Sequence, residues 1–251
     1  YDEDQLSRSA VISDGLASIS AQLLLDRVPT PSPSPSLVPT PKPSAIPVAE
    51  VTQMFGEGYN SGSVKTDAGS FSLSCIGSTK SKVRVITDSA SENDCKNDCP
   101  VKPLQEYISA NGGFAGMNGM YFCPPDYPAC SDKKNSFDTL FFNSRVKRYI
   151  NSDNNVYSTI PFLVVEGNGN TQFISHSQDW GRDTGIAAGT AGNPLVIQGG
   201  NYTVDNYPLD DKQKNTKSNR GAFVQKGDNV YLCIVKGATV SDSGKVYKTL
   251  G

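Results

Sequence analysis

From Val28 to Pro47 the chain reads VPTPSPSPSLVPTPKPSAIP, with proline at nearly every second position among Ser and Thr. Each proline removes a backbone donor and fixes φ, so this stretch can neither continue a helix nor sit inside a sheet. It reads as an extended, semi-stiff spacer. The chain therefore divides into a tail or short helix over 1–27, a Pro/Ser-rich linker over 28–50, and a domain over 51–251. That leaves about two hundred residues to fold, enough for one domain with a sizeable core. A polyproline ligand for signalling modules is the competing reading, but such partners belong to the cytosol.

Ahead of the spacer, Leu6 to Arg27 reads either as a short amphipathic helix or as a weakly ordered tail, since Gly15 and several serines interrupt it. Residues 11–25, VISDGLASISAQLLL, contain Ser, Asp, Gly and Gln and are too polar to span a bilayer. The chain begins at Tyr1 with no visible export signal, so the expectation is a protein cut upstream or a fragment. A tail on a stiff stalk suggests association with a cell envelope through the N-terminal region.

Six cysteines occur, at 75, 95, 99, 123, 130 and 233, and four of them form two short loops. An even count in short loops points to disulfides. Zinc would need converging Cys and His ligands, yet His176 is the one histidine and no Cys-x2-Cys knuckle exists. No metal or cofactor is predicted. The expected pairing, one of many connectivities, is Cys95 with Cys99, Cys123 with Cys130, and Cys75 with Cys233. Such bonds place the domain outside the cytosol, secreted or at the cell surface. The net charge of −2 is spread along the chain, with no basic stripe for nucleic acid.

Local patterns predict a mainly antiparallel α+β domain with a few short helices, stapled by disulfides. Val83 to Thr87 alternates as a strand. Pro103 to Asn111 places Leu104, Tyr107 and Ile108 at helical spacing and stops at Gly112-Gly113. Strands are expected at 139–143, 145–150, 162–166, 171–175, 194–198, 222–225 and 230–235, with hairpin turns at 167–170 and 226–229. Val240 to Leu250 reads as a helix, with Ser241 or Asp242 as its cap and Gly251 at its end.

The run Ala115 to Cys130, AGMNGMYFCPPDYPAC, carries the candidate site. Asn118-Gly119 is expected to turn sharply after the helix, with Gly119 at positive φ, ahead of a strand over Met120 to Phe122. The Asn118 amide, both donor and acceptor, suits a sugar hydroxyl or a phosphate oxygen; an ordinary turn whose amide serves its own backbone is the simpler reading. Tyr121 and Phe122 are either core aromatics or one exposed ring beside one buried. His176, Asp179 and Asp183, in HSQDWGRDTG, either supply a carboxylate for acid or base work or cap a turn. Asn201-Tyr202-Thr203 is a glycosylation sequon where the host modifies such sites.

FAGMNGMYFCP, then PLVIQGG, then NRGAFVQKGDNVYLCIVKGATVSDSGKVYKTLG resembles the phosphodiester glycosidase family over roughly residues 75–251. The resemblance implies hydrolysis of a sugar 1-phosphodiester, releasing a sugar such as N-acetylglucosamine from a phosphorylated glycan or envelope polymer. It implies catalytic roles for Arg220, facing the phosphate, and Asn118. Gly119 and Tyr121 would line the pocket, and Gly199 and Gly200 would let backbone approach the ligand. Without the family, Arg220 reads as a solvated surface charge among Lys212, Lys214 and Lys217. The family's Arg-Thr-Ala is Arg220-Gly221-Ala222 here. Members also continue past the equivalent of Leu250-Gly251 into a strand and an Asn-Leu-Asp-Gly-Gly-Gly-Ser loop, so the expectation is a C-terminally truncated chain, inactive alone if that loop is catalytic. The rivals are a non-catalytic carbohydrate-binding or adhesive module on its stalk, and a hydrolase with paired carboxylates.

Overall fold

The computed structural model describes residues 21–27, as backbone, together with 54–192 and 194–251. The Pro-rich spacer and most of the N-terminal tail lie outside the described residues. Fourteen strands form four antiparallel sheets, with three short α-helices among the described residues, an α+β architecture.

The four-stranded sheet runs β13 (Ser218–Lys226), β14 (Asn229–Ala238), β3 (Gly69–Thr79), β2 (Gly58–Thr66). β14 is covered on both faces because its apolar residues are consecutive and a strand alternates sides. Val230 and Leu232 enter one core with Val83, Val85, Met117, Leu163 and Val165. Tyr231, Cys233 and Val235 enter another with Phe71, Leu73, Val246 and Tyr247. The second core is closed by α3 (Val240–Leu250). The helix starts at Thr239, not at Ser241 or Asp242: the Thr239 hydroxyl accepts from the Asp242 N–H while the Asp242 carboxylate accepts from the Thr239 N–H. This reciprocal box satisfies two otherwise orphaned donors, and Asp242 serves it from the third helical position.

The five-stranded sheet has the order β7 (Arg148–Ile150), β6 (Phe141–Asn143), β10 (Ala188–Ala191), β8 (Phe162–Val165), β9 (Thr171–Ile174). β7 starts at Arg148 and not at 145 because the Asn143 side chain accepts from the Arg145 and Val146 N–H groups and holds that stretch in a turn, while β6 starts at Phe141, two residues later than expected. β11 (Ile197–Gln198) and β12 (Asn201–Tyr202) form a two-stranded hairpin, so only the end of Pro194 to Gln198 is strand.

The third sheet corrects two expectations. Its order is β4 (Val83–Ser89), β1 (Ala21–Arg27), β5 (Ala115–Asn118), all antiparallel. Ala21–Arg27 is thus neither tail nor helix but a central strand, and the folded domain includes a segment from before the spacer. A three-leucine run suits a buried strand or a helix equally by periodicity, and pairing with β4 and β5 decides it. Asn118 ends a strand instead of opening a turn, because its backbone is in register with Gln22. Gly119 does not take a positive φ, and Met120 to Phe122 are irregular.

The helix α1 (Leu104–Ala110) precedes β5 and packs Tyr107 on Ile86 of β4. The remaining helix, α2 (Asp211–Asn215), has a capping box of its own between Asp210 and Gln213. All six cysteines are bonded in the expected pairs. Cys75–Cys233 crosses directly between β3 and β14, where the two residues face each other in register. The Cys95–Cys99 loop docks on the chain just past Cys130, since the Asn97 side chain accepts from the Lys134 N–H at 2.8 Å and the Cys99 N–H donates to the Lys134 carbonyl. No helix among the described residues is long and apolar enough to cross a membrane.

Candidate functional site

A cleft of about 790 Å³ opens beside β13, the edge strand of the four-stranded sheet. Its size is in the range of small-molecule sites. Asn118, Gly119, Tyr121, Gly199, Gly200 and Arg220 all line it, so residues separated by as many as 102 positions share one wall system. The described lining residues include no Asp, Glu or His, and Arg220 and Lys226 are its only charged side chains.

Arg220 reaches the cleft from β13 beside a bulge between Ser218 and Arg220. It is not a free surface charge. Its Nε donates to the Ala238 carbonyl at 3.1 Å, Nη2 to the Thr216 carbonyl at 2.6 Å, and Nη1 to the Tyr121 hydroxyl at 3.1 Å. These neutral acceptors orient the guanidinium without cancelling its charge. Five N–H donors are present in an arginine, so two remain for a ligand. A fixed, uncompensated guanidinium with two spare donors is matched to a phosphate or carboxylate.

Tyr121 is 60 % exposed, whereas Phe122 beside it packs against Phe137, Phe141 and Ile150. The backbone is held in place by Cys123, whose N–H donates to the Ser136 carbonyl and whose carbonyl accepts from Asn135. Tyr121 therefore presents a ring and a hydroxyl at the cleft rim from an anchored loop. On the other side, the Met117 side chain fills the space that a Cβ on Gly221 would need. Glycine next to Arg220 lets Met117, the residue preceding Asn118, pack against β13.

Gly199 and Gly200 have φ of 56° and 76° in the two-residue β11–β12 turn. The turn alone requires glycine at both positions. A Cβ on either would meet nothing within 4 Å, and the Gly200 carbonyl accepts from Lys248 at 2.6 Å. The glycines shape the rim of the cleft.

The HSQDWGRDTG loop stands apart from the cleft lining. His176 Nδ1 and Asp179 are 3.2 Å apart in the open, and Asp183 accepts from the Gly185 N–H, capping a turn. Arg182 ties the loop to the carbonyls of Ser177, Trp180 and Asn155. A second polar cluster, around buried Asp88, was not singled out by sequence. Asp88 accepts from the Ser89 N–H and from the Asn111 and Asn143 amides, with Arg145 at 3.5 Å. Arg145 also bonds Glu92 and holds that carboxyl below its usual range. This network fastens the ends of β4, α1 and β6 together and serves structure.

Sequence reasoning also passed over the apolar floor of the cleft, including Leu163, Phe173 and Phe223. The Phe173 and Phe223 rings stand 6.2 Å apart, linking β9 to β13. No group of three or more His, Cys, Asp or Glu placed to hold a metal occurs among the described residues. No protein-family model matches the chain, and no curated protein matches it.

Proposed function

We propose that the cleft binds a sugar 1-phosphodiester and that the protein hydrolyses its glycosyl–phosphate bond. The observation that carries this reading is the Arg220 guanidinium, held by Tyr121 and two carbonyls, with no carboxylate among the described lining residues to neutralise it. The resemblance supplies the substrate class, and Asn118 and Tyr121 supply polar groups where the sugar would lie. In the reaction the bond from the sugar's anomeric carbon to the phosphate oxygen breaks. Water's oxygen bonds to that carbon, and one proton is released. The phosphate departs as a monoester whose added negative charge Arg220 stabilises; such charge stabilisation is the term a phosphate leaving group needs most.

The assay is release of free reducing sugar from an N-acetylglucosamine 1-phosphodiester. The expected outcome is product that falls by at least about a hundredfold in Arg220→Ala, a loss of the size seen when one donor to developing charge is removed. No product from this chain, nor from one extended through the Asn-Leu-Asp-Gly-Gly-Gly-Ser loop that the resemblance implies, would overturn the hydrolase.

A second reading, a non-catalytic carbohydrate-binding module, is favoured by one observation. The described lining residues include no Asp, Glu or His, the groups that most often move a proton, and leave only Lys226 and tyrosine hydroxyls for that task. Such a module retains the phosphodiester and releases nothing.

A further inference from the structure

The strand β1 comes from a part of the chain that the sequence sets apart. Residues 28–53, including the whole proline run, separate it from Met54, where the main body of the domain begins. Even so, β1 occupies the middle of its sheet, in register with β4 from Ala21 to Arg27 and with β5 from Gln22 to Leu25.

Neighbouring strands lie about 4.8 Å apart, so β4 and β5 stand about 10 Å from each other across β1 and cannot pair directly. Both are built into the domain without β1. Thr87 of β4 donates its hydroxyl to the Phe142 carbonyl and accepts from the Gly189 N–H. Ala115 and Met117 of β5 belong to the same core as Val230 and Leu232. Their inner edges expose backbone donors and acceptors that only an extended segment between them can satisfy. That is the geometry of recognition by strand addition, with main-chain pairing on both sides instead of one.

We propose that the space between β4 and β5 is a peptide-binding slot whose occupant is this chain's own Ala21–Arg27, held by main-chain pairing on the proline-rich tether. The three disulfides all lie outside this segment. A Pro-rich tether of this composition extends by about 3 Å per residue, so the 28–53 segment reaches up to about 80 Å. Its own strand thus competes at an effective concentration on the order of millimolar and wins in dilute solution. The slot also reaches the candidate site, because Gln22 pairs with Asn118, the first residue of the Asn118 to Phe122 wall. Occupancy fixes where that wall begins. This inference rests on backbone pairing and does not depend on the proposed reaction.

The test uses the full chain with a site-specific protease sequence placed within 30–45. After cutting, the N-terminal fragment is expected to co-elute with the domain. Labelled peptide containing AQLLLDR is expected to replace it at one per domain, and the uncut chain should take up at least about tenfold less. The same peptide with Leu24→Pro, which lacks one ladder donor, is expected not to bind. In the uncut chain, Leu24→Pro should speed amide exchange in β5 by at least about tenfold. Separation of the fragment on cutting with β5 protection unchanged, equal uptake by cut and uncut chains, or no uptake by the cut chain would each overturn the proposal.

Discussion

Arg220 shows how much a single side chain's chemistry depends on what holds it. Three neutral acceptors at 2.6 to 3.1 Å fix a planar fork, and lysine, a point charge on a flexible stem, cannot reproduce three anchored donors and two free ones. Arg220→Lys is therefore expected to weaken binding of a sugar 1-phosphodiester about tenfold or more, as calorimetry would show, although the charge is conserved. Tyr247 presents the opposite case. Its hydroxyl is buried without a hydrogen-bond partner, and burial pushes its pKa up. Removing an unsatisfied hydroxyl removes its desolvation cost, so Tyr247→Phe is expected to match or exceed the parent's stability at pH 7, by up to about 1 kcal/mol. A raised folded-state pKa gives stability that is complete below the unfolded value of about 10 and lost as pH rises past it. Urea melts at pH 7 and about 10.5 should therefore show a shallower alkaline loss in the variant than in the parent. An equal loss would mean that the hydroxyl ionises freely in the folded protein.

The disulfides differ mainly in the loop each closes. Cys75–Cys233 joins residues 158 apart, whereas Cys95–Cys99 joins residues 4 apart. Chain-entropy reasoning gives about 5 kcal/mol for the first and about 2 for the second. Replacing Cys75 and Cys233 by Ser is thus expected to lower the denaturation midpoint far more than replacing Cys95 and Cys99, and equal shifts would contradict that ordering. The elements most legible in the sequence were those with local signals. α1 carries its own stop at Gly112, β4 alternates, and the β8–β9 and β13–β14 hairpins carry their turn residues between them. β1 was not legible, because Leu23-Leu24-Leu25 fits helix or strand and its partners lie some sixty to ninety residues away. The same register removed the expected turn at Asn118. The site was legible only in part: Asn118, Tyr121 and Arg220 meet in one cleft, but spacing alone could not show that a residue 99 positions from Tyr121 would bond it. The two carbonyls that anchor the guanidinium leave no mark in the sequence at all.

At the scale of the whole molecule, β14 separates two cores and carries β13 at its edge, so the cleft is built where the four-stranded sheet meets the strands around β8 and β9. On the proposed function, this cleft recognises the phosphodiester through Arg220, with the sugar against Asn118 and Tyr121. The most direct measurement is a calorimetric titration of N-acetylglucosamine 1-phosphodiester and of free N-acetylglucosamine into the parent and Arg220→Ala. The parent is expected to bind the phosphodiester at least about tenfold more tightly than the free sugar, and Arg220→Ala to erase this difference, as for loss of a charge-assisted pair. Equal affinity of the parent for both ligands, or a preference that survives in Arg220→Ala, would contradict it.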